Sequence, residues 1–180
     1  MASIVKEFEV SQDIRTVWEF VSDMGNWASQ MPGYQSHETS GPDDSAWTLN
    51  VDLGPFQRSI VVDVHVSNWS SPDEVAFDVN GRYEPFTGGG VYRAQALPDG
   101  TAITLDFHAE PGGSMAKIIT PLVGPVLARV AGEFSANLKT AMEGGPPRTA
   151  SRPAGDGTGD REAGFWQRLL LRLRRLLGAA

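Results

Sequence analysis

The sequence contains no cysteine in 180 residues. That removes disulfides, thiolate metal sites and cysteine nucleophiles together, and it fits a reducing compartment. No run of about 18 apolar residues occurs, so no segment is expected to span a bilayer. The opening decapeptide reaches Lys6 and Glu7 without a long apolar stretch, so a secretion signal is not expected. The P-loop, the HExxH pattern, the GxSxG elbow and Cys/His zinc spacings are all missing. Basic residues are scarce over most of the chain: residues 1–142 hold 8 Lys+Arg against 18 Asp+Glu, a net charge of −10. Phosphates need a basic face, so nucleic acid is not an expected partner. Residues 143–180 reverse the sign, with 7 Lys+Arg, 4 Asp+Glu and a net of +3. A basic tail on an acidic body suggests two separate jobs.

Three parts follow from the patterning: a folded domain over 1–142, a linker over 143–163 and a tail helix over 164–180. In the first part, Ile4, Phe8 and Val10 alternate with polar residues and predict a strand. A helix is expected near Asp13–Ser22, entered at Ser11 or Gln12, with Ile14, Val17, Trp18 and Val21 on one face. Met24–Met31 reads as a second short helix ended by Pro32-Gly33. Alternating sets then predict strands: Trp47/Leu49/Val51/Leu53, Ile60/Val62/Val64/Val66, Val75/Phe77/Val79, Tyr92/Ala94/Ala96 and Ile103/Leu105/Phe107. Gly41-Pro42-Asp43-Asp44, Gly54-Pro55, Ser71-Pro72-Asp73 and Pro98-Asp99-Gly100 separate them as turns. Such alternation places one face inside and one in water, as in an antiparallel sheet. Met115, Ile118, Ile119, Leu122, Val123, Val126, Leu127, Val130, Phe134 and Leu138 form a long helical stripe. Pro121 and Pro125 predict a kink or break near Thr120–Pro125.

Candidate chemistry is sparse. Gly88-Gly89-Gly90 is expected between strands, as a bulge or bend, and lacks the following helix of a phosphate cradle. His37 falls in a loop-like stretch. His65 shares a strand face with Asp63, and His108 shares one with Asp106 and Glu110. These could be metal ligands or an acid/base set. The opposite faces are apolar, however, so the Asp/His faces are expected to look at water. No catalytic residue and no metal ligand is assigned. The aromatic residues Trp18, Trp27, Trp47, Trp69, Tyr34, Tyr83, Phe86 and Tyr92 suit core packing, and together they make the kind of interior that holds an apolar ligand.

The order of strand, two short helices, about six antiparallel strands and one long helix resembles the helix-grip fold of the START-like (SRPBCC) superfamily, an α+β architecture in which a curved antiparallel sheet wraps a long helix. The stretch Val17-Trp18-Glu19-Phe20-Val21-Ser22-Asp23, followed by Met31-Pro32-Gly33-Tyr34, is similar to the N-terminal signature of the carbon monoxide dehydrogenase CoxG family. Leu53-Gly54-Pro55-Phe56 is similar to that family's Val-Gly-Pro element. The resemblance covers about residues 1–142. It implies an accessory role rather than an enzyme: a cytoplasmic protein, peripheral on the inner face of the cell membrane. Its partner would be a molybdenum carbon monoxide dehydrogenase or a related molybdenum hydroxylase. Its hydrophobic small molecule would be a respiratory quinone, menaquinone or ubiquinone, linking that enzyme to the quinone pool. On this reading the ligand walls are Trp27, Met31, Tyr34, Trp47, Tyr83 and Tyr92, with Met115, Ile119, Leu122, Val126 and Val130 from the closing helix. Thr120-Pro121-Leu122-Val123-Gly124-Pro125 is similar instead to polyketide cyclase-like relatives, so a cyclase- or dehydratase-like enzyme and a generic START-like lipid carrier or adaptor stay open as alternatives.

The linker holds five Gly and three Pro among its 21 residues, a composition expected to stay disordered with an r.m.s. span of roughly 25 Å. At about 100° per residue, Phe165, Trp166, Leu169, Leu170, Leu173, Leu176 and Leu177 of the tail fall within an arc of about 140°. Arg168, Arg172, Arg174 and Arg175 occupy the other side, and Leu171 intrudes there. The tail is too short to span a bilayer and suits the headgroup zone of an anionic membrane.

Overall fold

The computed structural model describes residues 1–52, 57–114 and 116–144. Apolar alternation produces strands as expected. In β1 (Ala2–Val10), Ile4, Phe8 and Val10 face inward while Ser3, Val5, Glu7 and Glu9 are exposed. The helices α1 (Ile14–Val21) and α2 (Met24–Ala28) follow. Asp13, rather than Ser11 or Gln12, caps α1, because its carboxylate accepts from the Arg15 and Thr16 backbone N–H groups. These bonds and the Thr16 hydroxyl hold the Asp13 carboxyl below its ordinary pKa. Asp23 caps α2 in the same way.

Six more strands complete an all-antiparallel sheet: β2 (Tyr34–Thr39), β3 (Asp44–Asp52), β4 (Gln57–Ser70), β5 (Glu74–Gly81), β6 (Phe86–Leu97) and β7 (Gly100–Pro111). Their order is β1-β7-β6-β5-β4-β3-β2. The stretch around His37 is therefore an edge strand, not a loop. It is polar on both faces and shows no alternation, and backbone pairing with β3 alone makes it a strand. Bulges lie between Tyr34 and Ser36 and between Val66 and Asn68. The Gly88–Gly90 triplet, expected as a bulge between strands, lies inside β6 with unbroken register to β5 and β7. Close approach of the neighbouring strands explains it. A Cβ would stand 2.7 Å from the His108 carbonyl at Gly88, 2.4 Å from that of Phe77 at Gly89 and 2.1 Å from that of Asp106 at Gly90.

The closing helix α3 runs from Ala116 to Met142 and packs mainly on β1 and β7. It passes through Pro121 and Pro125 without interruption, so the expected break is absent. Each proline frees one carbonyl four residues earlier. Both prolines are exposed and four apart, so these carbonyls share their water-facing side.

The far end of α3 is fastened. The Glu143 carboxylate accepts from the Ser11 N–H at 2.7 Å and from the Ser11 hydroxyl, and the Asn137 amide donates to the Gln30 carbonyl at 2.8 Å. The Ser11 bonds lower the Glu143 pKa, so this latch works above the ordinary glutamate range and is lost as pH falls through the lowered value. The expected Leu53-Gly54-Pro55-Phe56 element, the linker from Gly145 and the whole tail helix lie outside the described residues.

Candidate functional site

The interior between sheet and α3 has two unlike halves. Around the C-terminal half of α3 the packing is dense. Trp27, 1% exposed, meets Phe77 at 5.5 Å, Tyr92 at 5.8 Å and Phe134 at 6.1 Å between ring centroids. Phe107 joins Phe77 and Phe134 in edge contacts. Ala131, Phe134, Leu138 and Met142 are buried here.

Around the N-terminal half of α3 the packing thins. Leu122, Val123, Val126, Leu127 and Val130 are only half-buried. Phe86, Val79, Ile60 and Phe107 of the sheet pack against the buried core, whereas these helix residues do not. A Cβ added to Gly124 would meet no atom within 4 Å. On β6, the inward positions 88 and 90 carry no side chain. A cleft of about 450 Å³ opens at this end of the molecule, at the β5–β6 hairpin and the end of β7. Gly81, Phe86 and Pro111 line it from the inner face, and Asn80, Thr87 and Glu110 from the outer face. Glu84 also lines the cleft and pairs with Arg58 at 2.8 Å.

Polar groups in the interior are almost all spent. Among the buried ones, the Trp27 indole donates to the Val21 carbonyl and the Trp47 indole to the Ser45 hydroxyl. Thr101, Ser135 and Asn137 donate to the carbonyls of Gln12, Ala131 and Gln30. Tyr92 differs. It is fully buried and, among the described residues, its phenol has no hydrogen-bond partner, a state that costs about 1–3 kcal/mol. Burial pushes its pKa well above the ordinary tyrosine value, so the phenol stays protonated.

The expected wall residues distribute unevenly. Trp27 and Tyr92 meet at the centre, and Trp47 is buried on β3. Met31 and Tyr34 are half-buried against the core, and the Tyr34 hydroxyl is bonded to the His37 ring at 2.9 Å. Leu122, Val126 and Val130 sit on the thin half of α3. Tyr83 stands apart, 76% exposed on the β5–β6 hairpin, because the turn carries it beyond the sheet face. Met115 and the side chain of Ile119 lie outside the described residues. Of the described wall residues, none lines the cleft at the hairpin. The bare row at 88 and 90 is a part of the wall that sequence reasoning misses. Its signal is two glycines at period two on the same strand face as Tyr92.

The histidine faces do look at water. His65, exposed, bonds Asp44 at 2.8 Å, and Asp63 pairs with Arg82 instead. Asp44 raises the His65 pKa, so this pair is complete below the ordinary histidine range and fades as pH climbs through the raised value. His108 and Glu110 are exposed on the outer face of β7. Among the described residues no three His, Cys, Asp or Glu stand close enough to hold a metal ion. Replacing His65 and His108 together by Gln is expected to leave binding of an apolar probe to the interior within about twofold, because neither touches the interior. Titration calorimetry checks this, and a loss of about tenfold or more, roughly 1.4 kcal/mol, would place function on the outer face.

The sequence profile of the carbon monoxide dehydrogenase CoxG family matches residues 7–143. None of the curated proteins compared with the chain matches it in sequence. Among solved structures, a conserved protein from Geobacillus kaustophilus superposes with TM-score 0.67 and 21% identity, covering 78% of this chain and 94% of that one. A START superfamily protein from Mycobacterium smegmatis gives TM-score 0.59 and 19% identity over 80% and 96% of the two chains. The ZhuI aromatase/cyclase from Streptomyces sp. R1128 gives 0.53 and 17% over 79% and 91%. At these identities the likeness is one of fold, and it is the helix-grip arrangement that the element order predicts.

Proposed function

Because the chain belongs to the carbon monoxide dehydrogenase CoxG family, we propose that it is a membrane-tethered protein that takes a respiratory quinone, menaquinone or ubiquinone, between its sheet and α3. In this role it recruits a molybdenum carbon monoxide dehydrogenase, or a related molybdenum hydroxylase, to the inner face of the cell membrane and links it to the quinone pool. The observation that carries the binding part is the unlike packing of α3. Its N-terminal half presents a half-buried apolar row, the inward positions 88 and 90 of β6 carry no side chain, and an open cleft lies at the start of β6 and the end of β7. Apolar surface left half in water favours an apolar guest. The tether rests on the tail's apolar arc and four arginines. Among the described residues no helix is long and apolar enough to cross a membrane; the 17-residue tail, too short to span a bilayer, would lie on the surface.

A cyclase- or dehydratase-like enzyme would need an acid/base pair facing the guest. The buried Thr101, Ser135 and Asn137 bond to backbone carbonyls, which supports a binder over a catalyst. The test is extraction of the full chain purified from its own host without detergent, followed by mass spectrometry. An isoprenoid quinone near one per chain is expected. Phospholipid or fatty acid in its place would support the generic carrier. A chain with no lipophile would overturn the reading.

A further inference from the structure

Along the inner row of β6 the sequence reads Phe86, Gly88, Gly90, Tyr92. Phe86 lines the cleft, the next two inward positions are bare, and the row ends on a fully buried phenol with no partner among the described residues. From Gly88 to Tyr92 is about 13 Å of strand. The ring of Phe77 leans over Gly90, 3.0 Å from where a Cβ would be. A phenylalanine at 92 would fill the same space without stranding an oxygen, so packing gives no reason for the hydroxyl. The Tyr92 ring touches Trp27, and its cross-strand neighbours are Val75 and Leu105. Among the described residues no charged group acts on its phenol, so the group it would serve is uncharged.

We propose that Tyr92 fixes the ligand's polar end: its hydroxyl donates a hydrogen bond to a carbonyl oxygen of a neutral lipophile that enters polar end first along the Gly88–Gly90 floor. The chain of the ligand then trails beneath the N-terminal half of α3 toward the cleft. Phe77 is the ring that the entering group displaces or stacks upon. This inference rests on the lipophile-binding reading above and adds the orientation of the guest and the residue that selects its chemistry. A quinone ring and an acyl ester both carry such an oxygen, and the probes below separate them.

The test compares the full wild-type chain with Tyr92→Phe against three probes. These are a 2-methyl-1,4-naphthoquinone with a short isoprenoid chain, the naphthalene hydrocarbon of the same skeleton, and a fatty-acid methyl ester of matching length. Tyr92→Phe is expected to bind the quinone about tenfold more weakly, the worth of one buried hydrogen bond, and the hydrocarbon within about twofold. The infrared carbonyl band of the bound quinone should be lowered in the wild type and return to its unbonded position in the variant. The same pattern with the ester and not the quinone upholds the carbonyl contact and assigns it to an acyl ligand. Equal losses for all three probes, or no loss for any, would overturn the inference, because Tyr92 would then be packing alone. A wild-type chain that binds none of the three would overturn the lipophile reading itself. Thermal unfolding of ligand-free Tyr92→Phe should occur at the wild-type temperature or above it, which separates a binding loss from a folding loss.

Discussion

Removing residues 145–180 is expected to abolish sedimentation with anionic vesicles while leaving a folded domain that binds lipophile as the full chain does. Coiled as a helix, the tail would place seven large apolar side chains on one face. Each is worth about 1.5–3 kcal/mol when fully buried, so half-immersion still supplies several kcal/mol in total. Its four arginines add about 1 kcal/mol each near an anionic leaflet. The sum exceeds a single marginal lipid anchor. The cut belongs after Gly144, because Glu143 holds Ser11 and fastens the end of α3. A cut after Met142 would remove that carboxylate and confuse the outcome. Replacing Leu169, Leu173 and Leu176 together by Ser should abolish sedimentation as fully as the cut, and high salt should weaken it only partly, since the apolar term does not screen. A full chain that ignores anionic vesicles even when freed of partners would instead make the tail a helix for a protein groove.

The largest loss of stability is expected for Trp27→Ala, about 3–5 kcal/mol. Trp27 is 1% exposed and lies against rings from β5, β6 and α3. Truncation opens a cavity among three elements and strands the Val21 carbonyl that accepts the indole N–H at 2.7 Å. Domains of this size hold about 5–15 kcal/mol in all, so roughly a fifth or more of the stability goes. Urea unfolding measures it. A loss below about 1 kcal/mol would mean that the dense half of the interior has slack and that the division into two halves is wrong.

Much of this fold was legible because its signals are local. Period-two alternation gave β3 to β7 their inner faces, and a stripe at three and four gave α3. The helix-grip order followed from those elements. β2 escaped because Gln35, Ser36, His37 and Glu38 offer no alternation, and an edge strand can form on backbone pairing alone. The glycine triplet misled because glycine marks both turns and close strand approach, and only the neighbouring carbonyls distinguish the two. Of the kink or break that the prolines of α3 predict, the break does not form, because its cost depends on which way the freed carbonyls point. For the candidate site, the sequence supplied Tyr92 and Trp27 as members of an aromatic interior. It could not show that the indole N–H groups of Trp27 and Trp47 are spent within the protein while the Tyr92 phenol is not. Pairing is a property of three-dimensional neighbours, and no spacing encodes it. Tyr83 had the right residue type and sits on the wrong side of a turn.

Hydrogen exchange along α3, with and without a bound naphthoquinone carrying an isoprenoid chain, tests the location of the site most directly. Residues 120–130 pack thinly and residues 131–142 pack densely with a fastened end, so the ligand-free helix should exchange faster in its first half. Addition of the quinone should slow exchange over 116–130 and leave 131–142 unchanged. Equal protection of both halves in both states, or protection gained only on the outer face of the sheet, would contradict a guest held between the sheet and the front of α3.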